Sequence, residues 1–167
     1  MGFELLPALV AGIVGGAVMS LMMAGMRRAG LTPMDISLIE GTMLTGRREL
    51  AVVLGLLMHL VVFSGLVIGS TYAGLFTWWN VDDSDGWWVG GLIGVPHALI
   101  GGLALALLPA IHPRMGAGSG GRDGLRVAPP GIFGRNYGAA TVSGFFVVHV
   151  VYGAVFGAFY GWFMGGG

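Results

Sequence analysis

The chain has 167 residues, of which 55% are hydrophobic and only 10% are charged, and its mean hydropathy is +0.83. A water-soluble domain would carry about 25% charged residues, so this composition excludes an ordinary soluble globule and favours one membrane-embedded domain. The formal net charge is zero and there is no long basic run, so nothing points to a nucleic-acid partner. Because cysteine is absent, disulfide frameworks and thiolate metal sites are excluded.

Four apolar segments are long enough to cross a bilayer as helices. A hydrocarbon core of about 30 Å requires about 20 helical residues, whereas barrel strands would be shorter and would alternate polar and apolar residues. The sequence therefore predicts an all-α membrane protein with transmembrane helices at residues 5–26, 50–76, 87–111 and 138–163. The residues before the first segment include Glu4 but no basic residue. This predicts a retained helix rather than a cleaved signal peptide.

The connection between the first two predicted helices is long enough to hold a short element of its own. Thr32 followed by Pro33 is typical of an N-cap and first helical position, and Asp35 would then lie in the first turn. Apolar residues recur after it at helical spacing, at Ile36, Ile39 and Met43. We predict a short helix in the membrane interface here, with an ordered loop as the alternative.

The arginines predict the orientation of the helices. All eight lie in the first and third connections: Arg27, Arg28, Arg47, Arg48, Arg114, Arg122, Arg126 and Arg135. Basic residues in short loops are retained in the cytoplasm, so both termini are predicted to lie on the outer side. The five tryptophans fall at the predicted outer helix ends, as expected for a membrane interface.

The third connection, residues 112–137, is rich in Gly, Pro and Arg and is predicted to be a flexible cytoplasmic loop.

The second and fourth predicted helices resemble each other, since each has a histidine followed by glycines, a tyrosine and a small residue. This pattern predicts two tandem helical hairpins that pack as a pseudo-twofold bundle about the membrane normal. Small residues four apart mark contact faces between helices in lipid. The predicted packing residues are Gly12, Gly16, Ser20, Gly65, Gly69, Gly94, Gly153, Gly157 and Gly161. They exceed the needs of a small bundle, which indicates other transmembrane subunits or self-association besides membrane lipid.

Three histidines, His59, His97 and His149, are predicted to lie within about 5 Å of the membrane midplane. No acidic or basic residue is expected to share that zone, and intramembrane ionisable residues are candidates for function. Small residues near each histidine leave room for a flat macrocycle. We therefore consider haem b, or another tetrapyrrole, held by His59 and His149, with His97 as a neighbouring or alternative ligand. The alternative is that each imidazole hydrogen-bonds a Ser, Thr or backbone carbonyl.

Other chemistry has less support in the sequence. Copper could use the same histidines with methionines of the first two helices, although methionine is also an ordinary apolar residue, so any metal remains unassigned. No nucleophile lies beside a base as a hydrolase requires. The leading hypothesis is a non-enzymatic accessory or assembly subunit of a larger membrane complex, with a respiratory or photosynthetic electron-transfer complex as the expected parent. The alternatives are a b-type haem-binding membrane cytochrome and a small oligomeric carrier or channel.

Three glycine-rich segments carry a resemblance to a known group of proteins. They read GIVGGAVMSLMM, HLVVFSGLVIGSTYAGLF and HVVYGAVFGAFYGWF, and together they resemble an uncharacterised family of small four-helix prokaryotic integral membrane proteins. The resemblance implies the four-helix fold and a place in the prokaryotic inner (cytoplasmic) membrane, with both termini periplasmic by the arginine rule. It implies no activity.

Overall fold

The computed structural model describes residues 1–115 and 124–166, and within them it has the four long apolar helices that the sequence predicts. The helices are α1 (Leu5–Arg28), α2 (Ile36–Gly41), α3 (Arg48–Trp78), α4 (Gly86–Ile111) and α5 (Ala139–Gly165). All except α2 are long and apolar enough to cross a membrane. The prediction of an all-α membrane protein is confirmed.

The long helices form two tandem hairpins that meet along one side. Helix α1 packs along α3, α4 packs along α5, and α1 also packs along α5. In contrast, α3 and α4 approach each other mainly through Ser70–Trp78, the last part of α3. The pseudo-twofold arrangement is therefore incomplete, because a cleft separates α3 from α4 over the rest of their length.

Glycines bring the helix backbones together inside each hairpin. A Cβ atom on Gly153 would overlap the carbonyl of Gly90, and one on Gly157 would overlap the carbonyl of Gly86. Every predicted packing glycine meets a neighbouring segment of this chain: Gly12, Gly16, Gly65, Gly69, Gly94, Gly153, Gly157 and Gly161. Ser20 differs, since its hydroxyl is buried without a hydrogen-bond partner in the described part of the chain. The predicted packing glycines thus serve contacts within this chain.

Helix α2 is present, but the predicted start is wrong. Asp35 is the N-cap, and its carboxylate accepts a hydrogen bond from the backbone N–H of Leu38 at 3.2 Å. Thr32 makes a tertiary contact instead, because its hydroxyl lies 2.6 Å from the hydroxyl of Thr141 on α5. The Thr32 hydroxyl also accepts from the N–H of Met34 at 3.1 Å, which turns the chain towards α2.

Small residues and the third connection hold α2 against α3. Gly55 of α3 lies directly against the carbonyl of Ser37, and Gly41 of α2 lies against the carbonyl of Ala51. At the end of α2, His112 Nε2 donates to the carbonyl of Ile39 at 2.8 Å. These contacts place the side chain of Glu40, which lies between Ile39 and Gly41, towards the bundle.

The middle of α3, Met58–Gly69, is a π-helix, whereas the sequence predicts a regular α-helix there. Its hydrogen bonds run five residues along the chain instead of four. Within it, the carbonyl of Ser64 accepts a hydrogen bond from the hydroxyl of Tyr152 at 2.6 Å. The π-helix contains His59, so the wider turn forms part of the candidate site.

The third connection contacts the bundle on both sides of residues 116–123, which lie outside the described part of the predicted flexible loop. A short turn-rich segment, Ile132–Tyr137, precedes α5 and is kinked at Phe133 and Gly134, which have left-handed backbone angles. The ring of Phe133 lies against Gly102 of α4, and the Tyr137 hydroxyl donates to the carbonyl of Ala128 at 2.7 Å.

Candidate functional site: a histidine cavity inside the membrane

All three intramembrane histidines line one cavity of about 370 Å³. The cavity lies where α3 and α4 diverge, with α1, α2 and α5 completing its wall. Most of its lining is apolar, including Met19, Met23, Phe63, Leu105 and Val148. A cavity of this volume is within the range for small-molecule sites, which are typically apolar with a few polar groups at fixed positions.

The cavity opens towards lipid through the cleft between α3 and α4. Two large apolar side chains that line it are also exposed at the surface of the bundle, Phe63 to 40% and Ile100 to 69%. Both lie within predicted membrane-spanning helices, so this surface faces hydrocarbon. The cavity that contains the histidines therefore borders the apolar outer surface of the bundle.

His149 is held in one orientation by its own helix. Its Nδ1 lies 2.6 Å from the carbonyl of Phe145, one turn earlier in α5. Because a carbonyl only accepts, Nδ1 carries the hydrogen, and the neutral ring has its lone pair on Nε2. That nitrogen lies near α4, since a Cβ atom added to Gly101 would be 3.5 Å from it.

His59 is held by a carboxylate. Its Nδ1 lies 3.0 Å from Oε1 of Glu40, and both side chains are largely buried. The expectation that no acidic residue shares the histidine zone is wrong, because α2 docks beside α3 and carries Glu40 to the wall of the cavity. The other atoms of the pair, His59 Nε2 and Glu40 Oε2, are buried with no hydrogen-bond partner within residues 1–115 and 124–166.

His97 contacts His149 directly. The two ring centroids are 4.7 Å apart in an edge-to-face arrangement, and the hydroxyl of Tyr72 lies 3.2 Å from His97 Nδ1. Tyr152 also packs against His97, at 5.5 Å between ring centroids. The structure thus brings the three predicted histidines to one cavity, with His97 and His149 in contact and His59 paired with Glu40.

Several residues of the site could not be assigned from the sequence. Glu40 is separated from His59 by 19 residues, and nothing in its local pattern indicates that α2 reaches the cavity. Tyr152 follows His149 by less than one helical turn, and its role depends on the Ser64 carbonyl across the bundle. Tyr72 is the tyrosine of the second predicted helix in the internal repeat, but the repeat does not indicate its contact with His97.

The site offers few ligands to a bare metal ion. No group of three or more His, Asp or Glu side chains in the described ranges is arranged to hold one. Haem needs only one or two protein ligands because the macrocycle supplies the others, so the haem prediction for His59 and His149 stays a prediction. No protein-family model, curated protein or solved structure matches this chain, so its functional assignment depends on the residues of this cavity.

Proposed function

We propose that this protein binds a lipophilic small molecule, taken from the bilayer, in the histidine cavity. The observation that carries the proposal is the pair of buried polar atoms without partners, His59 Nε2 and Glu40 Oε2, at the wall of an apolar cavity. Leaving a buried polar group unpaired costs about 1–3 kcal/mol. A guest with a matching polar group recovers that free energy and gains apolar contacts with the rest of the lining.

The arrangement of the histidines supports a binding role. A ring held through Nδ1 presents Nε2 in a fixed direction, which is the pattern by which proteins orient imidazoles towards a ligand or metal. His149 is held by the Phe145 carbonyl and His59 by Glu40. Since these rings are oriented before the guest arrives, binding loses less conformational entropy.

Purified protein tests this proposal directly. The chain is expressed with haem supplied, purified in mild detergent and examined by absorption spectroscopy and native mass spectrometry. We expect a small-molecule adduct in the wild-type protein that is lost in the double variant Glu40→Leu, His59→Phe. A Soret band would identify the guest as haem b, and an adduct without colour would identify another lipophilic molecule. Bare protein mass in the wild type, together with failure to take up any lipophilic compound, would contradict the proposal.

We also propose that the protein lies in a prokaryotic inner membrane with both termini periplasmic. The distribution of charge supports this orientation, since the arginines are confined to the connections at one end of the bundle. Glu4, Asp82, Asp83 and Asp85 lie at the other end. The exposed tryptophans Trp78, Trp79, Trp87, Trp88 and Trp162 lie there as well.

A further inference from the structure

The cavity wall offers acceptors beside His149 and Glu40, and the neutral His97–Tyr72 pair keeps one hydrogen that its own hydrogen bond does not use. Nε2 of His149 has a lone pair, because Nδ1 donates its hydrogen to the Phe145 carbonyl. When the carboxyl group of Glu40 is ionised, its Oε2 accepts hydrogen bonds and cannot donate them. Nδ1 of His59 donates to Oε1 of the ionised Glu40, and Nε2 of His59 accepts when the ring is neutral and donates when it is charged. The acceptors at His149 and Glu40 thus call for a guest that brings hydrogen-bond donors.

We propose that the guest is a lipid-soluble hydroquinone, a molecule with an aromatic ring, two hydroxyl groups and an apolar tail. This inference rests on the proposed function and names the ligand class of the same cavity. One hydroxyl donates to His149 Nε2, and the other donates to Glu40 Oε2 or to Nε2 of a neutral His59. The apolar tail extends through the cleft between α3 and α4, past Phe63 and Ile100.

The lining fits an aromatic ring of this kind. The rings of Phe145 and His97 pack against His149, with centroids 4.2 Å and 4.7 Å away. Edge-to-face and offset contacts with such rings stabilise an aromatic guest beyond the burial of its area. Thioether side chains on the wall, Met19 and Met23, adapt to irregular shapes.

The space in front of His149 favours a hydroxyl over a macrocycle. Since a Cβ atom on Gly101 would lie 3.5 Å from Nε2, a helix backbone stands close to that lone pair. A hydroxyl needs only an approach along one direction at hydrogen-bond distance. A macrocycle would need room for an extended plane beside the same nitrogen.

A comparison of three ligands of the same shape tests the inference. Protein in phosphatidylcholine nanodiscs, with empty nanodiscs as the reference for partition into lipid, is titrated with a decyl hydroquinone, its dimethyl ether and the corresponding decyl benzoquinone. An added reductant keeps the hydroquinone reduced under anaerobic conditions. It cannot alter a disulfide of the protein, because the chain lacks cysteine. We expect the hydroquinone to bind about tenfold more tightly than the ether, since only the hydroquinone donates hydrogen bonds.

A single variant adds a second criterion. His149→Phe keeps an aromatic ring but removes the lone pair, so it should reduce the ratio of hydroquinone affinity to ether affinity. Equal affinity of the wild-type protein for hydroquinone and ether would overturn the inference and leave the proposed function standing. Tighter binding of the benzoquinone than of the hydroquinone would overturn it as well, because hydrogen bonds donated by the site would then outweigh those that it accepts. Failure of all three ligands and of every other lipophilic compound would overturn both.

Discussion

Single glycines determine how closely the helices approach one another, and the structure specifies the effect of one added carbon atom at each. At Gly153 the added Cβ would overlap the backbone carbonyl of Gly90, which cannot move without shifting α4. At Gly74 it would meet no atom of the described residues within 4 Å. The same substitution should therefore have opposite consequences at the two sites.

Gly153→Ala should destabilise the protein by about 1–3 kcal/mol, the usual cost of overpacking. Gly74→Ala is the matched control and should be neutral or stabilising by up to about 1 kcal/mol, because alanine favours helix more than glycine. Reversible unfolding in mixed detergent micelles measures both. Equal free energies of unfolding for the two variants would show that α4 and α5 are not in backbone contact at Gly153.

The hydrogen bond between Thr32 and Thr141 gives a second residue-scale prediction. Both hydroxyls are buried and lie 2.6 Å apart, joining the first connection to α5. Thr141→Val keeps the shape but leaves the Thr32 hydroxyl with less to bond, so we expect a loss of about 1–2 kcal/mol in the free energy of unfolding. Ser143→Ala, which removes an exposed hydroxyl bonded only to its own helix, should cost less than half as much.

The identity of the key residues was predictable to an uneven degree. The histidines were recognisable because polar ionisable side chains are rare in membrane-spanning segments. Asp35 as N-cap was not, because Thr32 has a similar propensity, and Glu40 as the partner of His59 was not, because that contact depends on the docking of α2. Thr32 is as good a cap as Asp35 by type, but its contact with Thr141 is tertiary and leaves no trace in the local sequence.

Among the elements, the long helices were predictable from length and hydropathy alone, whereas the docking of α2 was not. Six residues are too few to form a stable helix by themselves, so α2 depends on its contacts with α3 and the third connection. The π-helical part of α3 was missed for a similar reason. Its sequence is uniformly apolar, and such a pattern cannot distinguish hydrogen bonds of one length from those of another.

Gly55→Leu should detach α2 from α3, because any side chain at Gly55 would overlap the carbonyl of Ser37. We expect faster amide hydrogen exchange across residues 36–41 with little change in the four long helices, since local opening exposes only α2. Gly25→Leu is the control, because a Cβ at Gly25 meets nothing within 4 Å in the described structure. Unchanged exchange in the Gly55 variant would contradict the packing of α2.

The orientation of the helices is tested by labelling single cysteines, which is simple in a chain that has none of its own. Asp83→Cys should react with an impermeant reagent added to intact cells, whereas Arg47→Cys should react only after the membrane is opened. This follows from retention of arginine-rich connections in the cytoplasm. Labelling of position 47 from outside would overturn the proposed topology.

At the scale of the whole molecule, glycine contacts explain why the two helices of each hairpin pack closely. The cleft between α3 and α4 explains the cavity. The prediction that the chain is an accessory subunit of an electron-transfer complex stays a prediction. The predicted packing glycines do not require another subunit, because they meet segments of the same chain. Native electrophoresis in gentle detergents tests it, and a monomer in each of them would count against a subunit role.

Blocking the cavity while preserving the fold is the most direct test of a guest-binding role. Gly101 faces His149 Nε2 and the Phe145 ring, and a Cβ there would be 3.5 Å from each, an ordinary contact distance. Because both neighbours are side-chain atoms, Gly101→Leu should project into the cavity against side chains and not against a helix backbone. We predict that native mass spectrometry will show loss of the bound lipophilic molecule in Gly101→Leu but not in Gly25→Leu, with similar thermal stability for both. Undiminished occupancy in Gly101→Leu would contradict the assignment of this cavity as the binding site.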